Sequence, residues 1–331
     1  MFSRLKKTIG RMARAILPYS WVRVLRRPAL LPGDYRPVIR RAEYVKSLQA
    51  APDALDDDYH AQQLRMYCHI LDKGLQQCNV EPGHGTDIYR LARESLDKVR
   101  SPELVNDPSV AWARRKLAEY EHLQSGQLPQ RQPHGPVEGE ASCEALLRTM
   151  KARRSIRSYE KKHVTMDVIE KIAEVFNWSP WSCHRQTGKI FVVNDPDLAG
   201  TCLKTCRGGT GFSAFVPCFL SFCADLRSYV MPREIWVPMV DVGLGTQNCA
   251  LMAHALGLSM TCLSWAQHND REETELRRLL EIPEHFEIVV NAVLGYPEYA
   301  VDIPSRKSVK LTYVLRSVAS AETNLAGGSF A

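Results

Sequence analysis

From Val240 to Leu258 the chain runs nineteen residues with a single carboxylate, Asp241, and neither lysine nor arginine. A helix that is apolar nearly all round has no face to give to water, so it must be packed at the centre of a domain or of a dimer. Elements able to cover it stand on both sides in sequence. Thr165 can cap a helix whose Val168, Ile169, Ile172, Val175 and Phe176 form one stripe. Ile190 to Val193 is a short apolar run closed by Asn194-Asp195-Pro196 and reads as a buried strand. A second strand is expected from Phe215 to Ala224, with Pro217 near its start where a missing N–H does least harm, and a third from Ile288 to Leu294, closed by Gly295-Tyr296-Pro297. At 331 residues and 45% hydrophobic, the chain has material for one ordinary domain plus a substantial extension.

The extension is N-terminal. Residues 58 to 78 and 85 to 124 read as two helices separated by Pro82-Gly83, with Leu64, Tyr67, Cys68, Leu71 and Leu75 on one face and Ile88, Ala92, Leu96 and Val99 on the other. His69 and Asp72 stand three apart beside Lys73, and a local surface pair is favoured over a polar face aimed at a ligand. The expected organisation is a basic segment over 1–46, a helical extension over 47–124, a Gln/Pro/Gly/His-rich linker over 125–142, the main domain over 143–318 and a flexible tail over 319–331.

The net charge of +6 is concentrated at the start: residues 1–46 carry twelve Lys or Arg against Asp34 and Glu43, so the remainder of the chain is net acidic. Phe2, Leu5, Ile9, Met12 and Ile16 alternate with Arg4, Lys6, Lys7, Arg11 and Arg14 in a helical pattern that ends at Pro18 and is followed by Tyr19 and Trp21. Residues 1–30 fit a helix lying on an anionic membrane surface, a helix docked on protein, or an Arg-rich presequence. No run is long enough to span a bilayer, and no motif supports nucleic-acid binding. The ten cysteines sit mostly in apolar runs without a Cys-x-x-Cys pair, as expected for buried thiols in a reducing, cytoplasmic compartment, at most peripheral to the inner face of a membrane. Cys202 and Cys206 lack a second pair of ligands, so no metal is expected.

The chemistry-bearing residues fall in a few short stretches. Arg153, Arg154, Ser155 and Arg157 place three guanidiniums and a hydroxyl within five residues, a donor set that matches phosphate oxygens in pairs. A basic run alone is usually a solvated face, but about 25 residues later comes Ser179-Pro180-Trp181-Ser182-Cys183-His184-Arg185-Gln186. Asp241-Val242-Gly243 with Gln247-Asn248, then Leu263-Ser264-Trp265, then Ser305-Arg306-Lys307 follow in order. Over roughly residues 145 to 315 this series resembles the nitroreductase family of FMN-dependent oxidoreductases.

The resemblance implies an α+β, three-layer fold with a central, mostly antiparallel sheet flanked by helices, here with an N-terminal helical region added. It implies FMN as cofactor, NAD(P)H as transient reductant in a ping-pong cycle, a small-molecule acceptor and an intertwined homodimer. Arg153, Arg154, Ser155 and Arg157, with Arg306 and Lys307 as a second clamp, would then hold the phosphate and the flavin edge. Ser182, His184, Gln186 and Asp241 would line the cofactor, and Ser264, Trp265 and His184 would act nearest the reacting atoms. Phe212, Trp181 or Trp265 could form a wall for the ring, or be plain core.

This chain departs from the family pattern in having His184 where Asn is usual, Trp181 where a small polar residue is common, and Thr187-Gly188 in place of Pro-Trp. Arg207-Gly208-Gly209-Thr210-Gly211 is an added loop that either covers the site or is a surface turn. No Gly-x-Gly-x-x-Gly fingerprint follows a strand, which fits passing use of a nicotinamide cofactor. The helical extension resembles those of relatives linked to polysaccharide biosynthesis. A catalytically silent member of the fold, serving as a membrane-surface or partner-binding module, is the competing expectation.

Overall fold

The computed structural model describes residues 55–77, 80–128, 140–229, 231, 234, 236–266 and 268–316. The basic segment 1–46, residues 129–139 of the linker and the tail 319–331 lie outside the described residues.

The helical extension is built from α1 (Asp57–Leu75), α2 (Thr86–Lys98), the single turn α3 (Pro102–Val105) and α4 (Pro108–Gln124). The continuous helix expected over 85–124 is therefore three. Ser101 and Asp107 each cap a helix that opens on a proline at its first position, where a missing N–H is harmless but the preceding residue is forced out of the helical region. The first helix ends at Leu75, short of the expected 78. Leu64, Cys68, Leu71, Ala92, Val110, Ala113, Leu117 and Tyr120 form the core of this module.

The main domain begins with α5 (Glu140–Ala152) and α6 (Met166–Asn177), then β1 (Gly188–Val193), α7 (Pro196–Thr205) and β2 (Cys218–Asp225). The central helix α8 (Val237–Ala255) is followed by β3 (Ser259–Leu263), α9 (Asp270–Leu280) and β4 (Phe286–Gly295). The four strands form one antiparallel sheet in the order β1-β2-β4-β3. Strand β2 starts three residues later than expected, directly after Pro217. Strand β3 was not anticipated.

Every residue of β2 is buried, so the sheet is covered on both faces. Cys218, Leu220, Phe222 and Ala224 pack with α6 and α8, whereas Phe219 and Cys223 pack with α7 and with Leu276 of α9. Three layers result: α6 and α8 on one face, the sheet, and α7 and α9 on the other. The buried residues of α8 (Asp241, Val242, Gly245, Thr246, Cys249, Ala250 and Ala253) lie toward α6 and the sheet. At Gly245 a Cβ would stand 2.5 Å from the ring of Phe176, so the glycine sets how closely α8 approaches α6. The other side of α8 leaves Val240 and Leu244 at 59% and 44% exposure. From Glu298 to Arg316 the chain is an exposed arm.

The module is joined to the domain by buried polar contacts. Gln62 Nε2 donates to Asp225 Oδ2 at 2.9 Å, Ser228 Oγ donates to Gln62 Oε1, and Gln63 Nε2 donates to Ser228 Oγ at 3.1 Å. Arg227 is bidentate to Asp225 and also meets Asp56 at 2.8 Å. Such contacts fix orientation, because each member left unpaired would be a desolvated polar group.

Candidate functional site

Arg154 to Ile156 lie alongside β3, tied to it by hydroxyls. Ser259 Oγ donates to Arg154 O at 3.0 Å and accepts from Ile156 N at 3.3 Å, and Thr261 Oγ1 donates to Ile156 O at 2.7 Å. The carbonyl of Arg157 accepts from Ser213 N, and its guanidinium lies 5.9 Å from the Phe212 ring centroid. Desolvation raises the pKa of the Cys262 thiol while the Arg153 charge opposes it, placing that charge beside the same strand. The cationic segment, the end of β3 and the 207–213 loop are thus gathered in one place.

The loop approaches β3 closely. A Cβ on Gly208 would stand 2.5 Å from Ser264 N, and one on Gly209 would stand 2.6 Å from Leu203 O, so two glycines allow backbone to pack on backbone beside Ser264. The loop is therefore a neighbour of the site residue Ser264, with Arg207 tied to Glu272 at 3.2 Å. Arg154 spends Nη1 on the carbonyls of Lys151 and Arg153, while its Nε and Nη2 are buried without a hydrogen-bond partner. Two desolvated guanidinium donors facing no acceptor are what a bound anion would satisfy, so these residues fit a phosphate-bearing group.

The second part of the site is the turn Ser182–Gln186. Asp241, 2% exposed on α8, accepts from Ser182 N at 3.1 Å, from Ser182 Oγ at 2.7 Å and from Tyr229 OH at 3.2 Å. Its acceptor capacity is committed to holding the turn, which makes it a support of the site. Cys183, His184 and Gln186 have φ of 53°, 56° and 52°, a left-handed backbone that costs about 1–2 kcal/mol per non-glycine residue. Such a turn persists only where surrounding contacts over-determine it.

His184 is half-buried. Its ring centroid lies 4.7 Å from that of Trp112 and 6.1 Å from that of His69, both in the helical module. Burial, then the charges of Arg65 and His69, hold its pKa below 6.5. Gln186 Nε2 lies 3.0 Å from His184 Nε2; with the amide placed this way the ring nitrogen accepts, and the imidazole proton resides on Nδ1.

The expected site residues are therefore sorted rather than gathered into one cluster. Arg153, Arg154, Ser155, Arg157 and Ser264 belong to the β3 side, and Ser182, His184, Gln186 and Asp241 to the turn. Among the described residues, no hydrogen bond or ring contact joins His184 to Ser264. Trp265 is 6% exposed, packed in the core and stacked on His268 at 4.2 Å, and Trp181 is 9% exposed against Phe176. Both tryptophans are core. Half-buried Phe212 is the aromatic left at the surface of the β3 side. Arg306 and Lys307 stand exposed on the C-terminal arm, bonding to the carbonyls of Pro304, Ser305 and Leu311, with no hydrogen bond to the Arg153–Arg157 segment among the described residues.

His69 and Asp72 do not form the local pair favoured from sequence. Asp72 pairs with Lys116 of α4 at 2.9 Å, and His69 faces His184. Arg65, Trp112 and Tyr229, all in contact with the turn, were missed because only the tertiary fold brings them there. Asn291 was also missed: it is fully buried in β4 opposite Leu263, with Oδ1 unpartnered and Nδ2 3.6 Å from Cys206 Sγ.

The model of the nitroreductase family matches residues 150–210 and 206–296. A relative from Archaeoglobus fulgidus, provisionally named an NADH dehydrogenase/NAD(P)H nitroreductase, is 30% identical over 158 residues, covering 47% of this chain and 87% of the relative. An FMN reductase [NAD(P)H] from Bacillus subtilis is 25% identical over 167 residues, 46% of this chain and 66% of the other. Among solved structures, an FMN-dependent nitroreductase from Clostridium difficile R20291 matches at 22% identity and a TM-score of 0.45, over 51% of this chain and 98% of that one.

Proposed function

The chain belongs to the nitroreductase family, and from that premise we propose that it is an FMN-dependent NAD(P)H oxidoreductase acting on a small organic acceptor. The observation that carries the reading is the pair of buried, unpartnered donors of Arg154, set between Arg153 and Arg157 along β3. In this reading Arg153, Arg154, Ser155 and Arg157 hold the phosphate and the adjoining edge of FMN. Bound FMN would supply reversible hydride transfer, which no side chain of this site can perform.

The protein's own residues bind and orient. The Ser264 amide, on which the Gly208 backbone packs closely, and the oxygen of Ser182, whose proton is given to Asp241 so that it is left to accept, are held in place before any ligand arrives, which is where a preorganised site gains over water. Burial lowers the pKa of His184 and so favours its neutral form, and with the Gln186 amide placed as it is the proton resides on Nδ1. Phe212 and the 207–211 loop exclude water from the β3 side. Trp265 acts from the core, by backing the strand end that carries Ser264.

We place a second copy of the chain against the exposed side of α8 and the C-terminal arm. Val240, Leu244, Ile303, Val309, Leu311, Val314 and Leu315 are apolar and exposed there. The arm would then bring Arg306 and Lys307 to a partner's site rather than its own. The direction of use, reduction of an acceptor or dehydrogenation of a biosynthetic intermediate such as one in polysaccharide assembly, rests on the resemblance, whereas attachment of residues 1–30 to an anionic membrane rests on their basic amphipathic pattern. No helix among the described residues is long and apolar enough to cross a membrane. The catalytically silent reading draws support from the ring of His184 being turned to Trp112 and His69.

Titration of the cofactor-free protein with FMN tests the assignment. Arg154→Ala and Arg153→Ala are each expected to weaken binding about tenfold, the size of one lost charge-assisted hydrogen bond. Wild-type affinity in both variants would contradict it.

A further inference from the structure

The left-handed turn Ser182–Gln186 is covered by the helical module. Arg65 of α1 donates from Nε to the carbonyl of Arg185 at 3.1 Å and from Nη1 to Ser109 Oγ at 3.2 Å. Ser109 is in turn fixed by Asp107, which accepts from its amide and its hydroxyl at the start of α4. Arg185 Nε points back to Met66 Sδ at 3.3 Å, and the ring of His184 rests against Trp112 and His69. All of these module residues lie outside the 150–296 stretch matched by the family model.

Arg65 is an expensive way to fill this space. It is 8% exposed, and among the described residues it forms no ion pair. Burial lowers its pKa to about 10, which leaves it charged at neutral pH. Where only packing is needed, an apolar side chain of similar size serves as well or better than a buried charge. What the guanidinium adds is a directed, charge-assisted hydrogen bond to one carbonyl inside a strained turn. That carbonyl lies between His184 and Gln186, two of the three residues with positive φ.

We infer that the helical module is a structural half of the FMN site and that Arg65 is a positioning residue, pinning the Arg185 carbonyl so that Cys183, His184 and Gln186 keep their left-handed backbone. Ser182 is held from within the domain by Asp241 and the Arg185 guanidinium by an ion pair with Glu234 at 2.8 Å, while the Arg185 carbonyl and the His184 ring are held from outside it by α1 and α4. The part of this inference that concerns FMN rests on the function proposed above; the part that concerns the turn does not.

The test uses the full chain with Arg65→Met, which keeps the volume without the donors, and Arg65→Lys, which restores a charged donor. Two readouts are taken after thermal melting has established that each variant is folded: the FMN dissociation constant, and the rate at which trypsin cuts the Arg185–Gln186 bond in the cofactor-free protein. Arg65→Met is expected to weaken FMN about tenfold and to speed the cut by a similar factor, with Arg65→Lys recovering a large part of both. An unchanged cutting rate and unchanged FMN affinity in Arg65→Met would overturn the inference. If wild-type protein binds no FMN, the proposed function fails while the cutting rate still decides the role of Arg65. Should Arg65→Met not fold, Trp112→Leu carries the same two measurements, with the same result expected and the same result overturning it.

Discussion

The Arg153–Arg157 segment and the Ser182–Gln186 turn are polar stretches of equal length, and they are held in opposite ways. The first lies along β3 through the hydroxyls of Ser259 and Thr261, its backbone satisfied and much of its charge left open. The second is gripped from both sides, by Asp241 and by the helical module, with its backbone strained and the side chains of Ser182, His184, Arg185 and Gln186 engaged. In the proposed function the first takes the ligand and the second keeps its shape. A site that needs both an anion clamp and a rigid rim can divide those tasks between segments, because open donors and satisfied ones cannot be the same groups.

The comparison breaks most readily at Asp241. Asp241→Ala would leave Ser182 N, Ser182 Oγ and Tyr229 OH without their acceptor in a buried setting, a loss of about 3 kcal/mol. Urea denaturation should register that loss, along with failure to retain FMN. A variant as stable as wild type would show that the turn does not depend on this side of its grip.

Gly208→Ala probes the open side. Its new Cβ would meet Ser264 N at 2.5 Å, so loop or strand end must shift at about 1–3 kcal/mol, and FMN binding should fall with it. Unchanged stability and binding would remove the loop from the site. Arg154→Gln is expected to do the reverse of Asp241→Ala: stability within about 0.5 kcal/mol of wild type, since Nε and Nη2 satisfy nothing in the unliganded protein, while FMN binding weakens.

Much of the open segment was legible in the sequence, and little of the gripped one. Three arginines and a serine in five residues make a donor set suited to an anion, which the motifs that follow in order, rather than the run alone, single out, and β-strand and central-helix signals around them come from local periodicity. The shape of the turn depends on Arg65, His69 and Trp112, which lie 70 or more residues away in sequence. No local pattern announces such contacts, and the apparent i,i+3 pair His69–Asp72 pointed the wrong way. The aromatic candidates divided similarly: whether Trp181, Trp265 or Phe212 faces a ligand depends on packing, and only Phe212 is left half-buried, packed against the edge of the core. Strand β3 escaped notice because its five residues, Ser259 to Leu263, mix hydroxyls used to bind the Arg154–Ile156 backbone with the apolar residues that mark a buried strand.

The smallest expected effect is a response to acid. Burial lowers the pKa of His60, His69, His184 and His285 from 6.5, so their stabilising contribution is complete above that value and is lost as pH falls through the folded-state values. His268 runs the other way, its pKa raised chiefly by Glu273, and its contribution is lost as pH rises above 6.5 through its folded-state value. Four of these five side chains lie in or beside the module and its junction, so a shift from about pH 7.5 to about pH 5.5 should lower the melting temperature by a few degrees and speed trypsin cutting at Arg185. A higher melting temperature at the lower pH would mean that His268 dominates.

The most direct measurement is the visible absorbance spectrum of the purified protein before and after addition of NAD(P)H, with any released cofactor identified by mass. Bound FMN whose absorbance bleaches on reduction and returns with an acceptor is the expected result. Protein that is colourless and cannot be reconstituted with FMN would contradict it.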